Sequence, residues 1–199
     1  LSTNAYDSHI QSGKGDIPFE VHIPTWHEPF FEIKDYGTGL SPESIKNLYI
    51  TYFDSDKIHT NELNGCLGLG SKSPFTVSSS FCTTSRFNGK KYIYSSFINE
   101  QGIPDMVLLG ESNTNESNGL EVKFSTKNNE CYDWKNAAEK IFKWFKIKPK
   151  CNISLNYDED NYLIKKDKFG ITSSLESSYV IMGNVAYELS SEDSQEFTE

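Results

Sequence analysis

Apolar and polar residues alternate in short registers along most of the chain, and a helical period surfaces at only a few places. Phe19–Ile23 and Phe30–Ile33 alternate as half-buried strands do. Ser80–Arg86, Lys91–Phe97, Met106–Leu109 and Leu120–Phe124 read as further strands, with Glu111–Asn118 as a polar loop tip. Asn88-Gly89 predicts a tight hairpin turn between two of them. A helix is expected over Leu1–Ser12, ended by Ser12-Gly13-Lys14-Gly15. Another starts at Ser41-Pro42-Glu43-Ser44, with Ser41 at the cap and Pro42 in the first turn. From Asp133 to Ile147, the residues Ala138, Ile141, Phe142 and Phe145 fall at i, i+3, i+4, i+7 and predict one buried helix face. Lys140, Lys143 and Lys146 lie off that face and read as its solvated flank. Past Pro149, short strands at Ile153–Leu155, Tyr162–Lys165 and Tyr179–Leu189 mark a second, β-rich unit.

Composition narrows the class. A chain of 199 residues can bury a core without disulfides or a metal, and 14% aromatic residues argue against disorder. The exception is the end, Glu188–Glu199, which carries acids and no base and is expected to be disordered. Twenty-eight acids against 19 bases give a net charge of −9. That balance disfavours tight electrostatic binding to nucleic acid or to an anionic membrane surface, so no nucleic-acid partner is expected. Cys66, Cys82, Cys131 and Cys151 show no C-x-x-C spacing and read as reduced thiols. No apolar run approaches the roughly 20 residues of a membrane span.

The chemistry concentrates in three short stretches. Gly65, Gly68 and Gly70 form G-x-x-G-x-G, followed by Ser71, Lys72 and a further expected helix. This is not a phosphate loop of the G-x-x-x-x-G-K-[ST] kind, because Ser71 stands where the lysine must be. It is nonetheless a segment rich in backbone N–H groups, suited to an anion. Asp35-Tyr36-Gly37-Thr38-Gly39 ends a strand. A carboxylate there can accept a hydrogen bond from an exocyclic amine, and the glycines would let a flat ring approach the backbone. Near the start, Asn4 and Asp7 stand at i and i+3 on one helical face. An amide oxygen beside a carboxylate suits an octahedral cation that also holds phosphate oxygens.

In the order N-A-x-D, D-x-G-x-G, G-x-x-G-x-G-S, these stretches resemble the nucleotide site of the GHKL ATPases, the superfamily of the gyrase B subunit, MutL and sensor histidine kinases. The resemblance implies an α/β Bergerat fold, a two-layer α+β sandwich with helices on one face of a mixed sheet. It implies ATP and Mg²⁺ as ligands, with Asn4 on the metal and the phosphates and Asp7 lining the same helix. Asp35 would take the adenine amine beside Gly37 and Gly39. Gly65, Gly68, Leu69, Gly70, Ser71 and Lys72 would wrap the triphosphate under a lid that includes Asp54–Asn64. Residues 1–148 would form this domain, 149–189 a linker and the start of a second, transducer-like unit, and 190–199 the acidic tail.

Tyr52-Phe53-x-Ser55-x-Lys57 and Gly68-Leu69-Gly70-Ser71-Lys72-Ser73-Pro74-Phe75 resemble more narrowly the rIIA-like proteins of T-even bacteriophages. That likeness implies a role in lysis timing or resistance to prophage exclusion, in the host cytoplasm or peripheral to the inner membrane. It also implies an rIIB-like sister protein as partner, while the GHKL module would form a homodimer through its lid or the part before Leu1. The alternative is a degenerate Bergerat scaffold that binds proteins without nucleotide turnover. Histidine kinase activity lacks a phospho-acceptor segment, since His9, His22, His27 and His59 all sit in or beside the binding domain. The family's general-base Glu would fall immediately before Leu1, so the sequence reads as a piece that supports ATP binding better than hydrolysis.

Overall fold

A computed structural model of the chain describes residues 1–50, 72–157, 162–166, 169–173, 178–182 and 184–189. Helix α1 (Ser2–Gln11) leads into β1 (Glu20–His22) and β2 (Phe30–Lys34), followed by α2 (Pro42–Ile50). Strands β3 (Ser80–Phe87), β4 (Lys90–Ile98), β5 (Pro104–Asn113) and β6 (Gly119–Ser125) precede α3 (Cys131–Phe142) and β7 (Lys150–Cys151). These strands form one sheet in the order β5-β4-β3-β6-β2-β1-β7. Every pair is antiparallel except β1 with β7, so the sheet is mixed.

Alternation along the strands explains why the sheet has two unlike faces. Phe31 and Ile33 of β2 stand opposite Phe124 and Val122 of β6 and share a core with Ala5 of α1 and Ala138 and Phe142 of α3. Ile45 of α2 closes over Tyr92 and Tyr94 of β4 on the same side. Phe19 is 1% exposed and meets Phe142 and Phe145 edge-on at 6.3 and 5.7 Å. Burying a ring of this size contributes about 2–3 kcal/mol. The intervening residues point the other way and pair by charge: Lys123 with Glu32 at 3.1 Å, Arg86 with Glu121 at 3.1 Å.

Local signals act as the sequence suggests at two turns. Asn88 and Gly89 both take positive φ, 50° and 75°, which matches the twist of the β3–β4 hairpin. At the start of α2 the Ser44 N–H donates to Ser41 Oγ at 3.0 Å, and the two hydroxyls lie 2.9 Å apart. The Ser41→Ala variant is expected to lose about 1 kcal/mol in chemical denaturation. Ser44→Ala leaves the capping acceptor in place and should lose less.

Elsewhere tertiary packing overrides the pattern. α3 ends at Phe142, because the chain must turn there to deliver Lys150, whose N–H donates to Phe19 O at 2.8 Å. Phe145 reaches the core from that turn, and Ile141 is left 50% exposed instead of buried. The expected strand at Ile153–Leu155 is not formed. Asn152 uses its side-chain amide on both the N–H and the carbonyl of Ile23, at 2.7 and 3.0 Å, and so ends the ladder. β5 runs on to Asn113, which shortens the expected loop tip. The helix expected after Lys72 is a single 3-10 turn, Ser73–Thr76.

A second antiparallel sheet follows in the order β11-β10-β9-β8. Its strands are β8 (Tyr162–Lys165), β9 (Phe169–Ser173), β10 (Ser178–Met182) and β11 (Val185–Glu188). The run expected as one strand at Tyr179–Leu189 is therefore a hairpin. β9 escaped the pattern because Gly170 reads as a breaker; a Cβ there would lie 2.6 Å from the Tyr162 ring. Trp144 meets Tyr179 at 6.2 Å between ring centroids, joining this sheet to the turn after α3. The expected lid at 54–64, the glycine segment at 65–71 and the tail at 190–199 lie outside the described residues.

Candidate functional site

Strand β2 carries Phe31 and Ile33 on its helix face, and the same alternation places Asp35 on that face at the strand's end. The Asp35 N–H donates to Leu120 O at 2.8 Å, extending the pairing with β6. Asp35 is 5% exposed. Oδ1 accepts from the Gly37 N–H at 2.9 Å and the Leu120 N–H at 3.2 Å, with the Ser8 hydroxyl farther off at 3.4 Å. Oδ2 takes none of these bonds. Burial pushes the Asp35 carboxyl above its ordinary 3.8, while the two backbone N–H groups and the Ser8 hydroxyl pull the other way.

The two glycines after Asp35 are demanded by the protein itself. A Cβ on Gly37 would lie 2.0 Å from Ser8 Oγ and 2.6 Å from the Ser8 carbonyl carbon and oxygen. Gly39 takes φ +66° with its missing Cβ 2.2 Å from Arg86 O. The close approach expected of a flat ring is made here by α1 and β3. α1 is thereby docked against the end of β2, and Asn4 and Asp7 lie on that same helix.

Asn4 is exposed and Asp7 half-buried, with burial raising the Asp7 carboxyl above its ordinary 3.8. No cluster of three His, Cys, Asp or Glu side chains suited to a metal occurs among the described residues. The donors present, one amide and one carboxylate, fit a cation shared with phosphate oxygens rather than one caged by protein alone. Gly65, Gly68, Leu69, Gly70 and Ser71 lie outside the described residues. Lys72 is half-buried just before the 3-10 turn, and burial lowers its ammonium below the lysine range.

Three groups around Asp35 escape motif reading: Ser8, His9 and the Leu120 N–H. Ser8 Oγ also accepts from the Thr38 N–H at 3.2 Å. His9 is 1% exposed and engages both ring nitrogens. Nδ1 lies 2.8 Å from Ile17 O, and the Tyr36 N–H donates to Nε2 at 2.8 Å. A carbonyl can only accept, so the ring proton is on Nδ1. The available sequence signal was weak: His9 follows Ala5 by four residues on the buried stripe of α1.

Tyr36 is held at every polar atom. Its carbonyl accepts from Lys14 Nζ. Its phenol is pushed up to about 12 by burial and by the hydrogen bond to Glu20. Between the ordinary value of 10.0 and about 12 the folded chain keeps a proton that the unfolded chain has lost. Stability therefore falls as pH rises through that window. The Tyr36→Phe variant should show a shallower loss than the unmodified chain in melts across the same range.

Solved structures similar to this chain are ATPase regions of type II topoisomerases. That of Saccharomyces cerevisiae aligns with a TM-score of 0.57 at 13% identity, over 86% of this chain and 55% of the other. The same region bound to ICRF-187 (dexrazoxane) gives 0.58 at 14% identity, over 85% and 55%. The ATPase and transducer domains of topoisomerase II from Balamuthia mandrillaris give 0.53 at 13%, over 85% and 52%. The chain spans about half the length of these structures. At such identities the likeness shows the fold: a mixed sheet with helices, the Bergerat arrangement that the resemblance implies. No family model and no curated protein matches the sequence.

Proposed function

We propose that this chain is an ATP-binding module of the GHKL type. The observation that carries this reading is Asp35, a buried acid whose Oδ1 accepts from two backbone N–H groups; in this reading Oδ2 would accept from an amine. Bound ATP would bring an adenine amine to that oxygen and, with Mg²⁺, a triphosphate to the α1 side. Asn4 and Asp7 would share the cation with phosphate oxygens. Gly65–Ser71 and Lys72 would offset the −9 charge around the polyphosphate. The second sheet, β8 to β11, would be the start of a transducer-like unit that reads the nucleotide state.

The finer assignment within this reading is an rIIA-like phage protein connected with lysis timing or prophage exclusion. Its support is the pair of stretches at 52–57 and 68–75. An rIIB-like partner and a place in the host cytoplasm or beside the inner membrane come with that assignment, and a homodimer through the lid or the N-terminal part with the GHKL module. A protein-interaction scaffold is the second reading. It draws on Gly37 and Gly39, since packing against Ser8 and Arg86 would retain both without any nucleotide. Calorimetric titration with ATP and Mg²⁺ separates the two: saturable heat supports the ATP module, and silence favours the scaffold.

A further inference from the structure

Adenine recognition by Asp35 requires its carboxylate to keep one aim, and the backbone that sets this aim is residues 35–38. Two of the ties on that segment come from α1: the Thr38 N–H to Ser8 Oγ at 3.2 Å and the Tyr36 N–H to His9 Nε2 at 2.8 Å. The His9 tie is the shorter and the more enclosed, since the ring is 1% exposed. It also lies one residue from the carboxylate on one side and from Gly37, the donor to Oδ1, on the other.

His9 has a second partner of a different kind. Its Nδ1–H donates to Ile17 O at 2.8 Å, tying α1 to the segment that enters β1. The ring edges against Phe19 at 6.4 Å on the same side. One nitrogen thus serves the fold and the other faces the site, which allows the two roles to be separated experimentally.

We propose that His9 is a positioning residue for nucleotide binding: by accepting the Tyr36 N–H it fixes the backbone from which Asp35 projects and Gly37 donates. This rests on the ATP reading above. Without an acceptor at Nε2, the part-buried Tyr36 N–H must seek another partner, and residues 35–37 rotate with it. The carboxylate then loses its aim even where the sheet is intact.

Two substitutions divide the ring's functions. His9→Gln places an amide oxygen near the Nε2 position and leaves Ile17 O without its donor. His9→Asn places an amide N–H near Nδ1 and leaves the Tyr36 N–H without its acceptor. Both variants should melt below the unmodified chain. In calorimetric titration with ATP and Mg²⁺, His9→Gln should bind within about twofold of the unmodified chain and His9→Asn about tenfold more weakly. Equal losses in the two, or affinity that simply follows melting temperature, would overturn the proposal. Silence of the unmodified chain would overturn the ATP reading itself, and the role of His9 with it.

Discussion

Asparagine in place of Asp35 is expected to weaken ATP binding by about a hundredfold, the loss of one charge-assisted hydrogen bond together with a donor set against a donor. The asparagine Oδ1 can still accept from Gly37 and Leu120, so the strand end keeps its local structure. What changes is the outward atom: an NH₂ group replaces Oδ2 and faces the ligand amine. The fold should not suffer. Burial raises the Asp35 carboxyl above its ordinary 3.8, so the folded chain binds that proton more tightly than the unfolded chain does. Stability therefore falls as pH rises through the raised value and stays lower at neutral pH. Asp35→Asn removes that cost and should melt at the same temperature as the unmodified chain or above it. Calorimetry and thermal melts on the same samples check both halves. Undiminished ATP affinity would refute the adenine role, and a large drop in melting temperature would refute the account of local structure.

The largest expected effect on stability belongs to Gly39→Ala, at about 3 kcal/mol, a left-handed backbone conformation and an overpacked contact acting together. The backbone stands at φ +66°, and the added methyl would lie 2.2 Å from Arg86 O, a β3 carbonyl that cannot rotate away as a side chain would. Gly110→Ala is the control, because nothing lies within 4 Å of a Cβ there and its φ is ordinary. Urea denaturation of the two variants should separate them clearly, with Gly110→Ala within about 0.5 kcal/mol of the unmodified chain. Comparable losses would show that replacing a glycine in general, and not this close approach, sets the cost.

Much of the fold was legible because its signals are local. Period-two alternation marked β1 and β2, and Asn88-Gly89 and Ser41 acted through their own φ angles and hydroxyls. Non-local demands were not legible. Nothing near Phe142 announces that the helix must stop so that Lys150 can pair with Glu20, or that Phe145 will replace Ile141 in the core. The site divides in the same way. Asp35, Gly37 and Gly39 were visible as a spaced motif, yet the reason for the glycines lies in Ser8 and Arg86, far off in sequence. His9 and the Leu120 N–H join them only when α1 and β6 close on the end of β2.

The register of β7 carries a consequence for the order of assembly. Its partner β1 lies 130 residues earlier, as the Lys150–Glu20 pair measures. While the chain is being synthesised, β1 can pair with β2 on one side only, and its other edge stays open until Asn152 has left the ribosome. Contacts of such separation form late, after the hairpins have zipped. An emerging chain thus presents an exposed strand edge until β7 arrives, an opening for mispairing or for a chaperone. The last step of folding at this edge is the capping of Ile23 by the Asn152 amide.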